Sequence, residues 1–178
     1  MKASVYIATS LDGFIARANG AIDWLPGGED EQTGEDYGYQ KFIDSVDYLV
    51  MGRNTYELAL SFDPWPYTGT PVVGLSSRPL EIPAHLTGAV EGMSGSPGEV
   101  VSRLAERGAK HLYVDGGKTV QGFLAAGLIQ QLIITRIPVL IGDGIPLFGP
   151  LPHDIKLRHI ETRSFPNGLV QSRYEVVG

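Results

Sequence analysis

Residues 50–57 read VMGRNTYE, and this stretch decides the predicted fold. An apolar run ends at Gly52, and an arginine and polar residues follow it. The pattern predicts a buried strand that turns into a helix, with Asn54 as the cap and Glu57 three residues later to complete a capping box. In open α/β sheets ligands bind at such strand ends, where helix N-termini offer unpaired N–H groups to an anion.

Short apolar runs of the same character recur along the chain. Several are too continuously apolar for a sheet with one wet face, so they predict strands buried on both sides. The runs are residues 4–8, 48–51, 71–75, 111–114 and 132–139. Helical patterns alternate with them, which predicts a largely parallel sheet.

Two helices have clear boundaries in the sequence. Ser96 is a predicted N-cap, followed by a proline at the first helical position and a glutamate that completes a capping box, and Gly108 ends this helix. The second follows Lys118 and stops at Gly127. The Gly- and Ser-rich residues 88–98 are predicted to form a loop. Residues 156–165 and 169–177 flank Pro-Asn-Gly, which predicts an antiparallel hairpin at the sheet edge.

Composition narrows the range of functions. With 178 residues and 43% hydrophobic content, the chain predicts one domain, residues 1–178. A net charge of −6 argues against a general nucleic-acid surface. The chain has no cysteine, its four histidines show no metal-ligand spacing, and no apolar run has the length of a membrane span. We therefore expect no metal and no membrane, and a cytoplasmic protein.

Three predicted strand ends carry residues suited to a phosphorylated ligand. The first is the opening stretch, and the second is Leu75, Ser76, Ser77 and Arg78. The third, from Asp115 to Thr119, is a double glycine that opens a helix. Each could be an ordinary turn, but the carboxyl ends of neighbouring parallel strands converge on one crevice. An arginine beside a ribose favours the 2′-phosphate of NADPH.

Two other nucleotide-binding patterns are incomplete. Gly117, Lys118 and Thr119 match the end of the P-loop pattern, but the glycine it requires five residues earlier is Leu112. The G-x-G-x-x-G fingerprint of ordinary Rossmann domains is also missing.

The segments IATSLDGFIA (7–16), MGRNTYE (51–57) and DGG (115–117) resemble the dihydrofolate reductase superfamily. The resemblance covers nearly the whole chain. It is strongest to the reductase domain of the bifunctional riboflavin-biosynthesis deaminase-reductase and to its stand-alone bacterial relatives. It implies a three-layer α/β fold with a mostly parallel eight-stranded sheet and a C-terminal antiparallel hairpin. It also implies a homodimer.

The resemblance also implies which residues bind NADPH. The pyrophosphate and adenosine would meet Gly52, Arg53, Asn54 and Thr55, and the 2′-phosphate and adenine would meet Leu75, Ser76, Ser77 and Arg78. Gly116, Gly117, Lys118 and Thr119 would wrap the pyrophosphate from the other side. Ala8 and Ile15 would lie against the nicotinamide.

The substrate side rests on fewer residues. Asp36 falls where dihydrofolate reductases keep the carboxylate that binds substrate and assists its protonation. It also ends an acidic run that includes Glu29, Asp30 and Glu31, which could equally be a solvated loop. Trp24 matches a tryptophan beside the nicotinamide. Tyr37 and Tyr39 depart from the folate pattern but could stack on a flat heterocycle.

These residues predict an NADPH-dependent reductase that transfers a hydride to a flat nitrogen heterocycle. The substrate would be an aminopyrimidine of the 5-amino-6-ribosylaminouracil type or a pterin such as dihydrofolate. The alternative is a non-catalytic NADP-binding or regulatory module of the same fold.

Overall fold

The computed structural model describes residues 1–27 and 33–178. Within them, ten strands and four α-helices alternate. In chain order they are β1 (Lys2–Ser10), β2 (Phe14–Ala16), α1 (Tyr39–Ile43), β3 (Tyr48–Gly52), α2 (Arg53–Leu60), β4 (Val72–Leu75), β5 (Val90–Met93), α3 (Pro97–Glu106), β6 (His111–Asp115), α4 (Gly117–Ala125), β7 (Gln131–Ile137), β8 (Ile145–Pro146), β9 (Leu157–Ser164) and β10 (Val170–Val176). A 3-10 turn, Ala84–Leu86, precedes β5. None of the helices in this part of the chain is long and apolar enough to cross a membrane.

Eight of the ten described strands form one sheet in the order β5-β4-β3-β6-β1-β7-β10-β9, and β2 and β8 form a separate two-stranded sheet. The six strands from β5 to β7 run parallel, whereas β10 pairs antiparallel with β7 and β9 with β10. The predicted mostly parallel sheet with a C-terminal hairpin is confirmed. The prediction of a loop over residues 88–98 is wrong in part, because β5 lies there and forms the edge of the sheet beside β4.

Helices cover both faces of the sheet, which makes the three predicted layers. On one face, α3 and α4 pack through Val100, Leu104, Val120 and Phe123 onto strand residues such as Val50. On the other, α1 and α2 pack through Phe42 and Tyr56 onto Leu49, Met51 and Tyr113. Successive residues of β3 and β6 thus enter opposite layers, as side chains along a strand must.

Helix boundaries follow the sequence in α3 but not in α2. The Ser96 hydroxyl accepts the N–H of Glu99, and the Glu99 carboxylate accepts the N–H of Ser96, which confirms the predicted capping box. Helix α2 instead begins at Arg53, with Gly52 as its N-cap and no side-chain cap. The prediction that Asn54 caps this helix is therefore wrong, because Asn54 already lies in its first turn.

Candidate functional site

The carboxyl ends of the four strands on one side of the sheet lie in register. Gly52 of β3 pairs with Leu75 of β4, and Leu75 pairs with Met93 of β5. On the other side of β3, Met51 pairs with Asp115 of β6. The three strand ends that the sequence predicts to converge therefore lie side by side.

Glycines let the starts of α2 and α4 approach each other closely, and we call the narrow surface between them, at Gly52 and Gly116, the groove. A Cβ added to Gly52 would lie 2.9 Å from Thr119 Oγ1, and one added to Gly116 would lie 2.6 Å from Thr55 Oγ1. That second position is also 3.9 Å from the backbone nitrogen of Gly52. Gly116 has φ +99°, which side chains rarely adopt. Two helix N-termini thus face one narrow space that a side chain at either glycine would enter.

The start of α4 also packs against the short antiparallel ribbon of β2 and β8. A Cβ on Gly117 would lie 2.9 Å from Ile145 Cγ2 and 3.3 Å from Ile15 Cδ1. Ile15 is therefore close to the start of α4, and its contact with the nicotinamide stays a prediction, whereas Lys118 is exposed in the first turn of α4. Close packing of helix and ribbon explains why the second glycine is needed here.

Hydrogen bonds from Arg53 connect the end of β3 to the segment that follows β4. Its Nε donates to Ser76 Oγ at 3.1 Å, and its second terminal nitrogen donates to the carbonyl of Pro79 at 2.8 Å. The remaining terminal nitrogen donates to Glu57 at 3.2 Å, one helical turn along α2. The guanidinium thus retains only part of its donor capacity for a ligand.

The side chain of Arg78, unlike that of Arg53, is available for a ligand. Its backbone N–H donates to Ser76 Oγ at 3.1 Å, but within the described residues its side chain makes no hydrogen bond or ion pair. It follows Ser77 in an exposed turn beside a cavity of about 290 Å³. The cavity is lined by Leu75, Ser76, Ser77, Met93, Ser94 and Gly95. Asn54, also predicted to contact the cofactor, is exposed in the first turn of α2.

Asp115 is the one acid at this end of the sheet whose pKa is strongly perturbed. Because residues alternate along β6, its side chain lies on the same face as Tyr113, towards α1 and α2. Its Oδ1 accepts the N–H of Gly116 at 2.9 Å. Burial raises the pKa of Asp115 to about 6, and the hydrogen bond from Gly116 opposes the shift. The carboxyl can therefore gain or lose a proton close to neutral pH.

Two tyrosines from different parts of the chain lie on the same face of the sheet as this carboxyl and feel its charge. Burial, followed by the nearby charge of Asp115, raises the pKa of Tyr39 in α1 to about 12. The same causes, in the same order, raise the pKa of Tyr67 in the segment after α2. Both phenols stay protonated at neutral pH, so both can donate hydrogen bonds into the space around Asp115.

The carboxylate of Asp36 accepts two backbone hydrogen bonds at the start of α1. One carboxylate oxygen accepts the N–H of Gly38 at 2.9 Å, and the other accepts the N–H of Gln40 at 3.0 Å. Two of about four acceptor positions remain, so contact with substrate stays a prediction. Of the acidic run, residues 29–31 lie outside the described residues.

Tyr37 does not occupy the place that the sequence predicts. Its side chain is 8% exposed, and its ring packs edge-to-face on Phe165 at 4.8 Å between centroids. Its hydroxyl accepts from Asn167 Nδ2 at 2.7 Å. The ring is therefore buried in the core, which argues against the predicted stacking on substrate. Trp24 and Ala8 pack around the same cluster.

The backbone of Tyr37 is held in a strained conformation. Its φ of +58° is the one positive value among the described non-glycine residues. Its carbonyl accepts from Tyr6 Oη at 2.9 Å and from Gln171 Nε2 at 3.0 Å. Gln171 also donates to Thr135 at 3.0 Å. This buried network fixes the turn that carries Asp36 and the start of α1.

Sequence reasoning missed two residues of the cleft. Asp115 was noted only as the first residue of a glycine motif, although an acid at the carboxyl end of a buried parallel strand is a recognisable signal. Tyr67 carried no such signal, because its place opposite Tyr39 depends on how the segment after α2 returns to the sheet.

Comparison with known proteins agrees with this geometry. The sequence matches the RibD C-terminal domain family over residues 2–171. A crystal structure of a putative riboflavin biosynthesis protein from Shewanella sp. PV-4 is 39% identical, with a TM-score of 0.92 and full coverage of both chains.

Two more distant structures share the fold. The diaminohydroxyphosphoribosylaminopyrimidine deaminase/5-amino-6-(5-phosphoribosylamino)uracil reductase of Thermotoga maritima is 14% identical over 99% of this chain and 56% of its own, with a TM-score of 0.73. Dihydrofolate reductase from Enterococcus faecalis, complexed with NADP(H) and RAB-propyl, is 14% identical over 98% of this chain and 96% of its own, with a TM-score of 0.67. With its dihydrofolate-reductase-like fold and its match along almost its whole length, the chain belongs to the RibD C-terminal domain family.

Proposed function

We propose that the protein is an NADPH-dependent reductase that acts on a flat nitrogen heterocycle. The observation that carries the proposal is the groove at Gly52 and Gly116, where the N-termini of α2 and α4 lie close together and the nearest side-chain groups are the hydroxyls of Thr55 and Thr119. Such a groove suits a pyrophosphate, because free N–H groups and the helix dipoles favour an anion there.

The residues around the groove fit the rest of an extended dinucleotide. The backbone of Gly52 and Gly116, with the hydroxyls of Thr55 and Thr119, would hold the two phosphates. The cavity beside Ser76 and Ser77 would receive the adenosine, with Arg78 available for the 2′-phosphate. When bound, NADPH supplies the hydride and the pair of electrons that the substrate gains.

The chain supplies the proton side of the reaction. A hydride added to the carbon of a carbon–nitrogen double bond leaves negative charge on the nitrogen, which must gain a proton. Asp115 has a pKa of about 6 and lies next to the groove, so its protonated form would donate that proton. Tyr39 and Tyr67 would orient the ring and exclude water.

The decisive experiment separates binding from turnover. Calorimetry would give the Kd values of NADPH and NADH, and NADPH oxidation would be followed with an aminopyrimidine of the ribosylaminouracil type and with dihydropterins. We expect tight, NADPH-selective binding and oxidation that depends on the added heterocycle. Tight binding without turnover of either class would favour the non-catalytic module, and no NADPH binding would refute the proposed function.

A further inference from the structure

A second cavity of about 290 Å³ lies on the α1 side of the sheet. Its walls come from α1, two residues shortly after the end of α1, and the segment that follows α2. They are Tyr39, Gln40, Ile43, Asp44, Val46, Pro66, Tyr67, Thr68, Gly69 and Thr70. Tyr39 and Tyr67 pack in the same cluster as Tyr113, on the face of the sheet towards which Asp115 also points, so the cavity lies on the same face as the proposed proton donor.

We propose that this cavity holds the substituent of the substrate and selects a heterocycle whose substituent is uncharged. The inference rests on the proposed function, and it excludes both a phosphorylated sugar and a glutamate tail. A neutral sugar, a polyol or an unsubstituted ring would fit instead.

The charge of the cavity wall supports this selection. Asp44 is the one charged residue among those that line it, and Gln40 Nε2 donates to Asp44 Oδ1 at 2.8 Å. That hydrogen bond holds the carboxylate at the wall. A phosphate or carboxylate in the cavity would therefore meet a negative charge and no opposite one.

The lysine of α1, Lys41, is directed away from the cavity. Tyr39, Gln40, Ile43 and Asp44 share one side of α1, and at 100° per residue Lys41 projects about 130° from the middle of that side. Residues 28–32 contain no lysine or arginine, so they add no positive charge.

Neutral hydrogen-bonding groups make up the rest of the polar wall. The hydroxyls of Thr68 and Thr70 and the amide of Gln40 can each donate and accept. Sugar hydroxyls need both kinds of partner, whereas a phosphate needs donors and positive charge. The polar groups therefore suit an uncharged, hydroxylated substituent.

The test uses two matched pairs of ligands. One pair is 5-amino-6-ribosylaminouracil and its 5′-phosphate, and the other is a dihydropterin without a glutamate tail and dihydrofolate. Kd would be measured by calorimetry with NADPH analogues bound and again without cofactor, so that binding is assessed apart from reduction. We expect the uncharged member of at least one pair to bind about tenfold more tightly, as one charge repulsion of modest size predicts.

Charge variants locate the effect in the cavity. Asp44→Asn should narrow the difference between the members of a pair severalfold, whereas Glu106→Gln, the same charge change at the exposed end of α3, should leave it unchanged. Thr68→Arg should reverse the preference by supplying the missing cation.

Each outcome decides the matter. Equal or tighter binding of the charged members, or no binding of any of the four ligands, would overturn the proposal. If the uncharged members bind selectively but are never reduced, the cavity assignment holds and the proposed reductase activity fails.

Discussion

Replacement of Asp115 by asparagine tests the raised pKa and the proposed proton donor together. Asparagine keeps the size of the side chain and cannot ionise. Its amide oxygen can still accept the N–H of Gly116, which Asp115 holds at 2.9 Å. The variant thus removes the titration while leaving the local hydrogen bond in place.

The size of the expected stability difference follows from the shift in the pKa of Asp115. In the unfolded chain the carboxyl titrates near 3.8, and in the folded chain near 6. Below both values the carboxyl is protonated in both states, so there is no cost of burying its charge. Between them the folded chain holds a proton that the unfolded chain has lost, so the free energy of unfolding falls as pH rises. Above the folded-state pKa the full cost applies, at most about 3 kcal/mol at about 1.4 kcal/mol per unit. Part of the residue is accessible, so we expect about half of that.

Urea unfolding of both proteins between pH 4 and pH 8 measures this effect, because the other carboxylates cancel in the difference. Relative to wild type, Asp115→Asn should gain stability as pH rises from about 4 to about 6 and then hold it. In steady-state assays, wild-type turnover should decline as pH rises above about 6, and the variant should be slow with no such decline. A stability difference that is independent of pH would refute the raised pKa, and an unchanged pH profile of turnover would refute the role as donor.

Three further expectations address cofactor, substrate and assembly. Arg78→Ala should weaken NADPH binding at least tenfold and leave the affinity for NADH unchanged; equal effects on both cofactors would contradict the assignment of the 2′-phosphate. Arg53→Ala should weaken NADPH binding too, and it should also lower the melting temperature, because the hydrogen bonds to Ser76 and Pro79 are lost. Asp36→Asn should lower stability by about 1 kcal/mol through the start of α1, and unchanged stability would contradict this role. A large loss of turnover under conditions in which the variant is still fully folded would show in addition that Asp36 acts on substrate. Light scattering should give a dimer mass, and a monomer at all concentrations would contradict that expectation.

The fold was predictable where the information is local. The capping box of Ser96 and the turn between β9 and β10 depend on residues close in sequence, and both occur as predicted. Strand β5 was missed because its four residues, Val90–Met93, include a glycine and a glutamate and carry little strand preference. It is a strand because the edge of β4 is available to pair with it.

The candidate site, like the fold, was predictable only in part. Convergence of the glycine-rich strand ends follows from the parallel topology, which the sequence pattern predicts. The pKa of Asp115 and the burial of Tyr37 could not be predicted from the sequence pattern, because both depend on partners far along the chain. The ring of Tyr37 meets Phe165, and its hydroxyl meets Asn167, 130 residues away.

The two groove glycines, which the sequence treats alike, differ in what they tolerate. Gly116 has φ +99°, so any side chain there strains the backbone, and its loss would confuse folding with binding. Gly52 has φ −73°, which every residue adopts, and an added methyl group meets only the hydroxyl of Thr119 at 2.9 Å. Gly52→Ala combined with Thr119→Ser, whose hydroxyl can turn away more freely, should therefore remain folded with a melting temperature close to that of Thr119→Ser alone. If a pyrophosphate passes between the helix starts, the double variant should bind NADPH at least tenfold more weakly than the single one, because the methyl group occupies its path. Equal Kd values for the two proteins would place the dinucleotide elsewhere and leave the groove as a feature of helix packing.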